Sequence, residues 1–285
     1  MPYVELRAHS HLSLLDGASS PAELAARAAE LDMPALALTD HQGLYGAVRF
    51  HAACRDAGIR PIFGAAVEVA PEAARDAARA GHPGAGAAQG ALRRGPDDPP
   101  LPGGRVALLV QDARGWANLC RLLSEAGRAG SKRDRPVTWD QLARHADGLL
   151  CLTGSRDGVV ARAARAGDRM ATLAAAKALA RIFAPDAGGA RCYVELQRHL
   201  AAGDRRLEAT LVGVAAHVGL PLVATNDVHY AAPDGFRLQH VLSSIRTRRP
   251  LDALGDALYA TPHRHLKDDH AMRALFADRP EAVDA

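Results

Sequence analysis

The residues best equipped for chemistry stand in three short phrases of the chain. "LRAHSHLSLLDGAS" (6–19) holds His9 and His11 two residues apart, followed by Asp16 on a glycine. "ALALTDHQG" (35–43) ends on Asp40 and His41, and "VATNDVHYA" (223–231) carries Asp227 and His229 two residues apart. Imidazole and carboxylate together are the ligand set of zinc, manganese or iron. In an extended chain residues i and i+2 face the same side, so Asp227 and His229 can reach one pocket. A single Asp-x-His is weak evidence. Three such phrases, each closing an apolar run, make a shared site worth testing.

The elements that must position them follow an α/β rhythm. "YVELR" (3–7), "ALALTD" (35–40), "RPIFGAAVEV" (60–69), "RVALLV" (105–110), "GLLCLT" (148–153), "CYVEL" (192–196) and "PLVAT" (221–225) read as strands, with Ala/Leu/Arg-rich helical stretches between most of them. Seven strands in this rhythm predict an α/β fold with mostly parallel strands, closed or nearly closed into a barrel. Ser20, Pro21 and Glu23 spell a capping box opening a helix over 19–31. A second helix is expected from about Leu44 to Ala57. The polar phrases then fall at the C-terminal ends of the first, second and seventh strands, the face where parallel α/β barrels carry their sites.

Between Pro71 and Gly104, 22 of 34 residues are Gly, Pro or Ala, beyond the length at which structureless loops become uncommon. This predicts a flexible surface insertion within one domain, because strand-helix alternation resumes at Arg105 unchanged. Four cysteines at 54, 120, 151 and 192 form no C-x-x-C pair, which excludes a zinc ribbon and suits a reducing cytoplasm. No apolar run approaches the roughly 20 residues that span a bilayer, so no membrane role is expected. A net charge of +3, from 35 Lys+Arg against 32 Asp+Glu, is too balanced to argue nucleic-acid binding globally. Local clusters remain: Arg128, Lys132, Arg133 and Arg135, and separately Arg237, Arg246, Arg248 and Arg249. A solvated arginine-rich surface is the favoured reading of both.

"HSHLSLLDGASSPAEL", "ALALTDHQGLYGAVRF", "YVELQRH" and "PLVATNDVHYAAPD" resemble, in order, the PHP (polymerase and histidinol phosphatase) domain of bacterial C-family DNA polymerases, the DNA polymerase III alpha subunits. The wording of "YVELQRH" and "VATNDVHYA" leans toward the error-prone branch. The resemblance runs from Tyr3 to about Pro280 and implies a distorted seven-stranded β/α (TIM-like) barrel of PHP type. Its strand ends hold up to three metal ions in some members, supporting phosphoester hydrolysis, and serve only as a structural module in others.

Ser10, Ser13, Asp16 and Gly17 set the register of the implied ligands. The two family histidines fall on Arg7 and His9, leaving His11 out of register. Asp16 and His41 match. The glutamate that bridges metals falls on Ala66, with Glu68 two residues late; a histidine position falls on Arg105 and a cysteine position on Ser155; Asp227 and His229 close the set. His9, Asp16, His41, Asp227 and His229 thus survive, while Arg7, Ala66, Arg105 and Ser155 are losses. A guanidinium has no lone pair to give and repels a neighbouring cation. Arg7 and Arg105 are therefore expected to neutralise Asp16 and Asp227 in place of metal. Asp40 is expected to orient His41 from behind.

The expectation is a structural, metal-free PHP module with no cofactor, acting in replication or translesion repair. The alternative is a divalent-metal (Mn, Zn or Fe) phosphoesterase or 3′–5′ exonuclease using a reduced site. Residues 262–285 resemble the start of the linker toward the polymerase core, which is absent here. Catalysis by this chain is thus left open, polymerisation by it alone is not expected, and its partner would be that core, in cis or in trans, with DNA contacted indirectly. Fragment, split-gene product and remnant all stay open.

Overall fold

The computed structural model describes residues 2–72, 99–129, 135–154, 156–255 and 258–285. Most of the 71–104 insertion, Ser155, Lys132 and Arg133 lie outside the described residues. In chain order the elements are β1 (Glu5–Ala8), α1 (Pro21–Glu30), β2 (Ala35–Leu38), α2 (Ala47–Ala57), β3 (Arg60–Val69), β4 (Gly104–Val110), α3 (Ala113–Ala129), α4 (Trp139–Arg144), β5 (Leu149–Leu152), α5 (Val159–Arg165), α6 (Arg169–Ile182), β6 (Cys192–Leu196), α7 (Asp204–Val218), β7 (Leu222–Ala224), α8 (Gly235–Thr247), a 3-10 turn (Leu251–Ala253), α9 (Asp269–Leu275) and α10 (Pro280–Val283). All seven expected strands form, which establishes the α/β class.

The chain divides into two compact units, passing from one to the other inside β3. The first comprises residues 1–65, 196–205 and 223–285. In it β1 pairs parallel to β2 and β2 parallel to β3. β2 is buried along its whole length, as the unbroken "ALAL" requires of a strand covered on both faces. α1 opens on the expected capping box: Ser20 Oγ accepts from the Glu23 N–H at 3.1 Å, and Glu23 Oε2 accepts from the Ser20 N–H at 2.6 Å. Leu24, Ala25 and Ala28 form its buried stripe, and it packs against α2. On the other side of β1, the Val228 N–H donates to the Arg7 carbonyl and the His9 N–H to the Val228 carbonyl, each at 2.8 Å. The phrase after β7 is thereby fastened beside the phrase after β1.

The second unit comprises residues 66–195 and 206–222. β5 pairs parallel to β6, but β4 pairs antiparallel to β5. This antiparallel pair sits among otherwise parallel pairings, within the mostly parallel sheet the sequence rhythm predicted. Two helices and an extended pass at Val137 join β4 to β5, in place of the single crossover that a parallel pair takes.

Residues 262–285 are built into the first unit. Tyr230 and His265 form a parallel bridge, the His229 N–H donates to the Arg264 carbonyl at 2.9 Å, and the Tyr3 N–H donates to Asp269 Oδ1 at 2.8 Å. The segment expected as linker is therefore folded onto the body, because its backbone supplies hydrogen bonds that the 229–230 stretch would otherwise lack.

Candidate metal-type site with arginine ion pairs

All five surviving positions meet in the first unit. His9 directly follows β1, Asp16 closes a tight turn, His41 follows β2, and Asp227 and His229 follow β7. The turn over 10–17 is held by Asp40. Its Oδ1 accepts from the Ser10 N–H and the Ser13 hydroxyl, both at 2.7 Å, and its Oδ2 accepts from the Ser10 hydroxyl at 2.8 Å. The His41 N–H donates to Ser13 Oγ at 3.0 Å. Asp40 thus places the His41 backbone through Ser13, whereas the sequence suggested a direct carboxylate partner for the ring. Gly17 is required here: a Cβ would sit 2.0 Å from the Ser10 carbonyl oxygen.

The Asp-x-His pair converges by a route other than the extended chain the spacing suggested. β7 stops at Ala224, and Asp227 has φ +45°, in the left-handed region. Leu15 (φ +59°) and Gln42 (φ +53°), each next to a site residue, share that conformation. Non-glycine residues held there carry backbone strain of order 1–3 kcal/mol each and cluster where surroundings dictate side-chain direction.

Asp227 is the centre of the site. Arg7 Nε donates to its Oδ1 at 2.8 Å, and Arg264 Nη1 donates to its Oδ2. His9 Nε2 lies 3.1 Å from Oδ1 and His229 Nε2 3.6 Å from Oδ2. Arg7 is only 1% exposed and Arg264 7%. At Asp16, Arg246 Nη1 donates to Oδ1 at 2.6 Å, His41 Nε2 lies 2.6 Å from Oδ2, and His229 Nδ1 lies 3.6 Å from the same oxygen, linking the two carboxylates. The rings of His9 and His41 lie 4.3 Å apart, and those of His9 and His229 4.9 Å. Tyr259 stands over this group, its hydroxyl 3.2 Å from His229 Nε2 and its ring 4.0 Å from the Arg264 guanidinium carbon.

Burial pulls the Asp227 carboxyl upward, but Arg264 and then Arg7 outweigh it and hold it well below the usual carboxylate range. Asp16 behaves alike: burial raises it, while His229, His41 and Arg246 bring it well below its ordinary value. Burial, with His41 beside it, drives His9 well below the ordinary imidazole value, so His9 is neutral near pH 7.

The ion pairs expected for the two aspartates form, with different arginines. Arg7 does neutralise Asp227. Arg105 lies in the second unit, where its Nε is 3.3 Å from Glu68 Oε2; Arg162 Nη1 is 3.3 Å from Glu68 Oε1. Its place as an expected partner of the aspartates is taken by Arg246 and Arg264. Ala66 is buried in the second unit. His11 is exposed and out of the cluster, as its register implied. Arg246 had a signal, its membership of the 237–249 basic cluster; all four arginines of that cluster are exposed, and Arg246 turns to Asp16. Arg264 and Tyr259 had no local signal, since their role comes from the fold of residues 262–266 beside His229.

His9, Asp227 and His229 each offer one ligand atom, all within 4.8 Å of one another, and His9 Nδ1 and His229 Nδ1 are buried with no hydrogen-bond partner. These three side chains are the donor set a single divalent ion would use. The multi-ion cluster that the resemblance implies does not fit: both oxygens of Asp227 already face guanidiniums, no bridging glutamate stands at 66, and Arg7 sits where a ligand would be.

The PHP domain family matches residues 5–199, and the chain belongs to that family. It is 38% identical over 287 residues to an error-prone DNA polymerase of Mycolicibacterium paratuberculosis and 35% identical over 283 residues to a DNA polymerase III subunit alpha of Caulobacter vibrioides. These alignments cover 100% and 99% of this chain but 24% and 22% of the relatives, so the chain spans about a quarter of the length of the curated relatives it matches. A metal-free, sulfate-bound amidohydrolase from Chromobacterium violaceum is a distant structural likeness, 16% identical over 81% of this chain and 89% of that one, with a TM-score of 0.41. Among the described residues no helix is long and apolar enough to cross a membrane.

Proposed function

We propose that this chain acts as the PHP module of a bacterial DNA polymerase of the DNA polymerase III alpha type, error-prone branch, in cytoplasmic replication or translesion repair. In this reading the module is structural, ion pairs replace the metal cluster, and its partner is the polymerase core, in cis or in trans, which makes the contacts to DNA. The observation that carries it is Asp227 held between two buried guanidiniums. A divalent ion there would have to displace both, or sit beside two fixed positive charges in a low-dielectric setting, where like-charge repulsion is strongest. Metal analysis tests it: the purified chain, dialysed against Mn²⁺ or Zn²⁺, is expected to retain less than stoichiometric metal. One retained ion per chain overturns the metal-free reading.

A second reading, a reduced phosphoesterase or 3′–5′ exonuclease site holding one divalent ion, is favoured by the convergence of His9, Asp227 and His229. Such an ion would lower the pKa of bound water for attack on a phosphodiester. Shortening of a labelled primer in Mn²⁺ that disappears in His9→Ala with Asp227→Ala would establish it.

A further inference from the structure

Helix α8 is inside out. Its fully buried side chains are polar: Gln239 and Ser243, whose Nε2 and Oγ are hydrogen-bonded at 3.0 Å, and Ser243 Oγ also accepts from Arg246 at 3.4 Å. This inner face supports the arginine that holds Asp16. The apolar residues point the other way: Leu238, Val241 and Ile245 are 49%, 43% and 55% exposed. Positions i, i+3 and i+7 fall within one narrow arc of a helix, so these three form a single stripe. Leu251, 47% exposed, lies on the 3-10 turn that packs beside α8. An outward stripe of this kind on a helix whose inner face is polar is the mark of a surface covered by a partner.

We infer that the Leu238–Val241–Ile245 stripe docks an apolar, acid-flanked surface of the polymerase core, resting on the reading that this chain is a module of a larger polymerase. Two observations choose that occupant. About three quarters of each relative's length lies outside the region this chain matches, which leaves ample protein to cover the stripe. With Arg246 committed to Asp16, residues 234–252 still carry three arginines against two aspartates, and Arg237, Arg248 and Arg249 are exposed on and just beyond α8. A second copy docked about a two-fold axis would bring this net positive rim onto itself. A different surface with carboxylates at its margin removes that repulsion and gains charge complementarity.

The chain is exchanged for the matched region of the Mycolicibacterium paratuberculosis polymerase, and Val241→Cys is treated with a maleimide in this chimera and in the 285-residue chain, with label at 241 read by peptide mapping. Labelling is expected to be fast in the short chain and about tenfold or more slower in the chimera, as for a site opened only by local dissociation. Leu238→Asp with Ile245→Asp is expected to restore the fast rate. Equal rates in a chimera that extends primers overturn the docking surface and leave the module reading standing. Slow labelling in the short chain, together with a dimer by sedimentation, overturns it in favour of self-association. A chimera that folds but cannot extend primers overturns both.

Discussion

Arg7 and Arg105, the two positions at which the resemblance implied histidine, each lie beside a carboxylate, yet their surroundings make them different objects. Arg7 is 1% exposed and shares Asp227 with a second buried guanidinium, Arg264. The Arg105 side chain is 36% exposed and its partner Glu68 30%, with Arg162, 47% exposed, on the other oxygen. Charge and chemistry are the same in the two places, while the dielectric differs. A solvent-facing pair contributes about 0–1 kcal/mol, whereas breaking a buried one leaves an uncompensated charge and costs roughly 3–5 kcal/mol. An arginine can therefore anchor a buried ion-pair centre in one unit and only a surface pair in the other.

The comparison is sharpest at Asp227 itself. Asp227→Ala strands two buried guanidiniums and is expected to lower stability by roughly 3–5 kcal/mol in urea unfolding. A loss under 1 kcal/mol would break the contrast. Arg7→Met leaves Arg264 on the carboxylate and should cost less, about 2–3 kcal/mol, as the residual cost of one unsatisfied charged partner. Replacing both arginines, Arg7→His with Arg264→Gln, should let dialysed protein retain about one Mn²⁺ or Zn²⁺ per chain, the three neighbouring donors then being released. Arg105→His alone should leave metal content unchanged.

Acid separates the two regions next. The lowered pKa values of His9 and His199, both caused chiefly by burial, mean that the unfolded chain takes up protons that the fold refuses. Stability should be complete above the ordinary imidazole value of 6.5 and fall as pH drops below it. The depressed carboxyls of Asp16 and Asp227 contribute stability present above 3.8, which is lost as pH falls below that value toward their folded pKa values. Unfolding midpoints measured from pH 8 to pH 3 check the sign, and a flat profile between 7 and 5 would contradict neutral buried imidazoles. The smallest effect is expected in the second unit, where Glu68→Gln should change stability by about 1 kcal/mol or less in the same assay.

Strand positions, the α1 capping box and the clustering of His9, Asp16, His41, Asp227 and His229 were legible because they depend on local pattern and on motif register. Arg264 was not legible. Its segment reads as polar tail, and it becomes a site residue only because its backbone pairs with residues 229–230, some 35 positions away. The antiparallel placement of β4 was hidden for a similar reason: alternation of strand and helix does not count the extra pass at Val137. Asp40 illustrates a third limit. An acidic residue beside a histidine suggests a direct partner, but its oxygens are taken by Ser10 and Ser13, whose nearness is set by the turn.

The sequence by itself determined the α/β class, the family register and the chemical fact that a guanidinium at position 7 cannot ligate a metal. Those rest on residue type and spacing. Tertiary structure alone decided which cations reach which carboxylates, since burial and approach from distant segments set the strength of a charge interaction and neither is written in the local chain.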